Sequence, residues 1–204
     1  MKKGISFKDI IIPTVALFLI YLGASALLGL TNHVTADRIA EQEALAVQNS
    51  LEEVVKAVDG VEVGSFGDET AFDESISYYE AYDGGGKVIA FVLVSSAKGY
   101  GGDVKVMTAY DLKGTIIGFT VVDCSNETPG LGQNSKTHFV GLLEGKSGEL
   151  TVDKYSNEGQ NVQAITAATI TSRAVVNAVN ASTAAVGTLI DSLDSQAEGG
   201  NGNG

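Results

Sequence analysis

Ile10 to Leu30 is a run of 21 residues without a single charged side chain. An α-helix rises about 1.5 Å per residue, so about 20 apolar residues cross the hydrocarbon core of a bilayer. Inside that core a lone segment can satisfy its own backbone only as a helix. The run is therefore expected to be a transmembrane helix over 10–30, with 1–9 ahead of it. Lys2, Lys3 and Lys8 precede it, and the first charges after it are Asp37 and Arg38. That asymmetry places the N-terminus in the cytoplasm and the remainder outside. Pro13 falls in the first turn, where a missing N–H costs little. Ala24-Ser25-Ala26 has the small-x-small pattern of a signal-peptide cleavage site. The apolar run continues past it, however, and is longer than a usual signal core. Cleaved or not, the rest of the chain is exported.

Charge narrows what the exported part can bind. The whole chain carries −12, and after residue 30 ten basic residues stand against 24 acidic ones. An acidic surface argues against nucleic acid and against a polybasic hold on anionic lipid. One cysteine, Cys124, rules out an intrachain disulfide, and two histidines, His33 and His138, give no ligand cluster for zinc or iron–sulfur. Any redox cofactor is then organic. Cys124 itself reads as a small core residue, with nothing basic beside it to activate a thiol.

Asp37 to Val58 places Ile39, Leu45, Leu51, Val54, Val55 and Val58 near helical spacing among Glu and Gln, so an amphipathic helix ending at Asp59-Gly60 is expected within a helical connector over 31–75, whose acidic remainder has no specific pattern. From Ile76 the pattern turns to β. Residues 81–94 are repeated 28 positions later by 109–122, with seven of fourteen aligned pairs identical, among them Asp83/Asp111 and Gly86/Gly114. Each copy sets Asp and Gly between two β-rich arms, the signature of a hairpin. Two hairpins in succession predict an antiparallel sheet of about four strands packed on helices, an α+β domain over 76–195. The tail, 196–204, is rich in Gly and Asn and is expected to lack structure.

Three loops carry candidate chemistry. Gly99-Tyr100-Gly101-Gly102 offers glycines free to take positive φ beside a ring that can lie on a flat ligand, or else a plain interstrand loop. Glu127-Thr128-Pro129-Gly130-Leu131-Gly132 is a tight Pro-Gly turn. Thr166-Ala167-Ala168-Thr169-Ile170-Thr171-Ser172 leads into an Ala/Val-rich helix expected from about Arg173 to Leu193, with Thr171 or Ser172 as its N-cap. Free first-turn N–H groups and the positive end of the helix favour a phosphate there, and a neighbouring hydroxyl is a candidate for a phosphoester.

The last of these stretches resembles the S/T-G-A-T-x-T-S flavinylation motif of the FMN-binding domain family, whose members include RnfG of the Rnf electron-transport complex and NqrC of the sodium-pumping NADH:quinone reductase. The Glu127–Gly132 loop matches that family's E-T-P-G-L-G at all six positions, and the Gly-Tyr-Gly segment precedes it in the expected order. Ala167 stands where the family usually has Gly, and Gln163 where it has Asp. The resemblance implies FMN esterified to Thr169, with Thr166, Ala167, Ala168, Thr171 and Ser172 forming the motif around it. It also implies Glu127, Thr128, Gly130, Leu131, Gly132 and Tyr100 near the flavin. By the same resemblance the chain is a membrane-anchored electron relay in an ion-translocating ferredoxin:NAD oxidoreductase (Rnf complex), partnered by the other subunits and matured by a flavin transferase. An NqrC-like or stand-alone exported flavoprotein, and an assembly subunit without flavin, are the other readings of the same residues.

Overall fold

The structure, a computed structural model, describes residues 7–199. Lys2 and Lys3, on which the expected orientation rests, lie outside them. The chain divides into two compact units, Met1–Ala46 and Val47–Gly204. One helix, α1 (Phe7–Val54), contributes to both. Its Ile10–Ala36 stretch is long and apolar enough to cross a membrane. Thr14, Thr31 and Thr35 each donate a hydroxyl proton to a carbonyl four residues back, at 2.7–3.0 Å. Polar side chains in such a helix are thereby satisfied without water.

In the second unit the end of α1 becomes core. Leu51 and Val54 are buried, together with Val55 and Val58 from the segment that follows. The connector is helical as expected through Val54, where α1 stops short of Asp59-Gly60, and the rest of 31–75 forms four short strands instead: β1 (Ala57–Val58), β2 (Val61–Glu62), β3 (Ser65–Phe66) and β4 (Thr70–Ala71). Asp59 and Gly60, expected to end a helix, have φ of 49° and 84° and turn β1 into β2. Two central residues with positive φ are what a two-residue hairpin needs, so Asp-Gly acts here as a hairpin signal.

The main sheet is the expected antiparallel meander, β5 (Ile76–Tyr82), β6 (Val88–Lys98), β7 (Asp103–Asp111) and β8 (Ile116–Asp123), with β3 and β4 added along β5. The repeated turns are chemically the same. Asp83 accepts from the N–H groups of Gly85 and Lys87, and Asp111 from those of Lys113 and Thr115, at 2.8–2.9 Å. Gly86 and Gly114 close them at φ 80° and 76°.

Both sheet faces are covered, which is why β6 reads as a continuous apolar run instead of an alternation. One face buries Ala90, Val92, Met107 and Ala109 with Leu51 and Val54. A Cβ at Gly118 would collide with the Val54 backbone, so this glycine seats the helix end on β8. After β8 come a 3-10 turn (Gly132–Asn134), a short helix α2 (Ser135–His138), a parallel pair, β9 (Thr151–Asp153) and β10 (Asn161–Gln163), and a long helix, α3 (Thr169–Gly199). The other sheet face buries Phe91, Leu93, Val106 and Tyr110 against Val175, Val179 and Val186 of α3. Cys124 lies buried in this second cluster, as expected of a small core residue.

Helix α3 is longer at both ends than the expected 173–193. The tail expected to be unstructured from Gln196 is helical through Gly199, and 200–204 lie outside the described residues. At the front end, Thr171 and Ser172 are inside the first turn, and neither is the N-cap.

Candidate functional site

Three loops meet at the start of α3. The first, between β6 and β7, is closed by the Gly99 N–H donating to the Gly102 carbonyl at 2.7 Å and presents Tyr100, 71% exposed. Positive φ is the expected reason for its glycines, but Gly99, Gly101 and Gly102 are absent from the positive-φ residues. Space is the reason instead. A Cβ on Gly101 would overlap the Asn126 carbonyl, and one on Gly102 would stand 2.8 Å from the Asn126 Cβ. The glycines allow this loop to lie directly on the Asn126-Glu127 backbone.

In the second loop, the Leu131 N–H donates to the Thr128 carbonyl at 3.1 Å around Pro129 and Gly130, the latter at φ 74°. Proline followed by a positive-φ glycine makes a type II turn, as the sequence predicts. A Cβ at Gly132 would lie 2.7 Å from a Glu127 carboxylate oxygen and 2.8 Å from the Thr171 hydroxyl.

A second tight turn precedes α3. The Ala168 N–H donates to the Ile165 carbonyl at 3.0 Å, and Ala167 takes φ 63°. The Ser172 hydroxyl locks it, accepting from the Ile165 N–H at 3.0 Å and donating to the Ala168 carbonyl at 2.9 Å. Thr171 donates to Glu127. Ser172 and Thr171 are buried, so their hydroxyls are consumed in building the turn. Thr169, in contrast, makes no hydrogen bond through its hydroxyl among the described residues, and neither does Thr166.

Between these loops lies a cleft of about 540 Å³, lined by Tyr100, Thr128, Leu131, Gly132, Ala167, Ala168, Thr169, Ile170 and Thr171. Its size falls in the range of small-molecule and cofactor sites. Most of the candidate residues thus come together. Thr166 and Gly130 are in the turns but off the lining, Ser172 is buried below it, and Glu127 is behind the wall, 2% exposed. Its Oε1 accepts from the Gly101 N–H at 2.9 Å while its other oxygen takes the Thr171 hydroxyl. Burial pushes this carboxyl toward a higher pKa, but the Thr171 hydroxyl and the loop amides of Gly101, Gly102 and Tyr100 outweigh it and hold it below its ordinary value.

Ile170, which no sequence motif singles out, is 53% exposed on the cleft edge. Gln163 faces solvent on β10, with its carbonyl 2.9 Å from His138 Nε2 and its N–H donating to Asn157 at 3.3 Å. His138 therefore pins α2 to β10, a role its isolated position in the sequence does not reveal.

A cofactor test of this site rests on the donor set. The first-turn N–H groups of α3 have no intrahelical acceptor and open toward the Thr169 end. Small Ala168 and Gly132 leave room, and an aromatic and a leucine side chain flank it. These residues fit a phosphate-bearing cofactor with a flat ring.

Comparison with known proteins agrees. The FMN-binding domain family matches residues 99–184, and the RnfG N-terminal region matches 1–54. The chain is 36% identical over 194 residues to the G-subunit of the Na(+)-translocating ferredoxin:NAD(+) oxidoreductase complex of Acetobacterium woodii, covering 89% of this chain and 93% of that one. It is 45% identical over 97 residues to the G-subunit of the proton-translocating ferredoxin:NAD(+) oxidoreductase complex of Clostridium ljungdahlii, covering 47% and 52%. Among solved structures, Shewanella oneidensis NqrC shares the fold at a TM-score of 0.50 and 23% identity, over 58% of this chain and 61% of that one.

Proposed function

The chain belongs to the RnfG family, a subunit of ion-translocating ferredoxin:NAD(+) oxidoreductase (Rnf) complexes, and from that premise we propose how its residues do their work. It is a membrane-anchored, FMN-binding subunit of such a complex, a part of a redox-driven translocase whose partners are the other subunits. In our reading the FMN is covalent, its phosphate esterified to Thr169 Oγ1 with net loss of one water. When bound, FMN supplies reversible one- and two-electron transfer.

One observation carries this assignment: of the three motif threonines, Thr169 alone both lines the cleft and keeps its hydroxyl unengaged among the described residues. Thr171 is held by Glu127, and Thr166 is off the lining. The first-turn N–H groups of α3 would hold the phosphate, Ala168 would let it approach, and Tyr100, Thr128 and Leu131 would border the ring. An ester keeps the cofactor in place without reliance on affinity, which suits a domain outside the cell where free FMN is dilute. Lys2, Lys3 and Lys8 support a cytoplasmic N-terminus and an extracytoplasmic 76–195 domain.

Intact and peptide mass spectrometry on protein produced with its flavin transferase tests the linkage. The peptide holding Thr169 gains one FMN less one water, and Thr169→Val abolishes both the added mass and in-gel flavin fluorescence. A colourless wild-type protein would overturn the reading, with Gln163 in place of the family's Asp as the cause to examine. Protease added outside whole cells removes the domain if the orientation is right and spares it if not.

A further inference from the structure

Among the described residues Glu127 is the one carboxylate buried at the cleft, and it reaches two elements that are far apart in sequence. The Gly101 amide is 26 residues before it and the Thr171 hydroxyl 44 after it. These donors belong to two different elements that line the cleft, the tyrosine loop and the first turn of α3. Both are neutral, so they solvate the anion without cancelling its charge. Gly132, a lining residue, has its Cα packed so closely that an added Cβ would fall 2.7 Å from the carboxylate. We propose that Glu127 is the positioning residue that fixes the two cleft walls relative to each other, and that its buried negative charge lowers the reduction potential of the flavin held there.

This inference rests on the FMN reading above. Adding an electron to the flavin adds negative charge beside a fixed negative charge. In the protein interior that repulsion is screened far less than in water, with an effective dielectric constant of about 20 against about 80. Charge placed near a flavin is one of the means by which a protein tunes it. The carboxylate is also held ionised by its amide and hydroxyl donors, so its charge is present at neutral pH.

The test uses the full-length, flavin-loaded protein in three forms: wild type, Glu127→Gln and Glu127→Asp. Flavin occupancy is measured first, then the midpoint potential by spectroelectrochemical titration. Glu127→Gln keeps an acceptor for Gly101 but loses the charge, and shifts the one-electron equilibrium toward the reduced form by about tenfold, equivalent to about 59 mV. Glu127→Asp, which restores the charge, stays within about threefold of wild type. A loaded Glu127→Gln protein at the wild-type potential, or an Asp variant displaced as far as Gln, overturns the charge role alone. A wild-type protein that takes no flavin overturns the flavoprotein reading and the charge role with it. The clamp is read separately by hydrogen exchange on unloaded wild-type protein, where the Gly101 amide is protected and Thr171→Val speeds its exchange at least about tenfold. A Gly101 amide that exchanges like an open loop overturns the clamp.

Discussion

Ala167 holds a left-handed conformation, φ 63°, that costs an L-residue roughly 1–2 kcal/mol relative to glycine's freedom there. Ala167→Gly is therefore expected to stabilise the domain by about 1 kcal/mol once the added entropy of the unfolded chain is subtracted, measurable as a rise in the denaturant midpoint. Ser172→Ala acts in the opposite sense. It leaves the buried Ile165 N–H without its acceptor and should cost about 1–3 kcal/mol, with a parallel loss of flavin loading because the turn carrying Ala168 and Thr169 loosens. Glu127 gives a pH signature. Its folded pKa lies below the ordinary 4.5, so the stability it adds is complete above about that pH and is lost as pH falls through the lower folded value. Acid unfolding followed by circular dichroism should thus be shallower below pH 4.5 in Glu127→Gln than in wild type.

The elements show how repeated local chemistry builds a sheet and how a helix is registered on it. Asp111 is buried and accepts from two loop amides, so Asp111→Ala should cost about 1–2 kcal/mol in chemical denaturation. The same change at Asp83, whose turn is more open to solvent, should cost less, because water replaces the lost acceptor. Helix α3 is tied to the sheet by side chains that reach its backbone. Tyr110 donates to the Val179 carbonyl at 3.1 Å, and Ser95 to the Ala178 carbonyl at 2.9 Å. Those bonds fix how far α3 extends toward the cleft and therefore where Thr169 stands. Loss of the Tyr110 hydroxyl in Tyr110→Phe is expected to cost about 1 kcal/mol in equilibrium unfolding. The strands β9 and β10, three residues each with a connection between them, have no sequence signature of their own. Their pairing depends on a parallel neighbour that periodicity within one segment does not reveal.

For the whole molecule, the described apolar stretch Ile10–Ala36 predicts that the full chain fractionates with membranes, and that a chain starting at Val47 is recovered in the aqueous fraction with the cleft residues intact. Fractionation with immunoblotting checks both. The sequence by itself determined what is written in short windows: the apolar span, the two Asp-Gly hairpins, the Pro-Gly turn at Thr128–Leu131 and the Ala/Val-rich helix over 173–193, though not its start at Thr169. Each of these follows from the torsional freedom or transfer free energy of a few adjacent residues. Asp59-Gly60 was equally legible as a hairpin, but the helical spacing ahead of it, which holds through Val54, led to its reading as a helix end. Only the tertiary structure decided which hydroxyls are spent and which stays open. Thr171 is engaged because Glu127 arrives from 44 residues away, Gly101 is small because the Asn126 backbone lies on it, and Glu127 is turned inward, behind the lining. Packing between distant segments sets those facts, and no local pattern of residues encodes them.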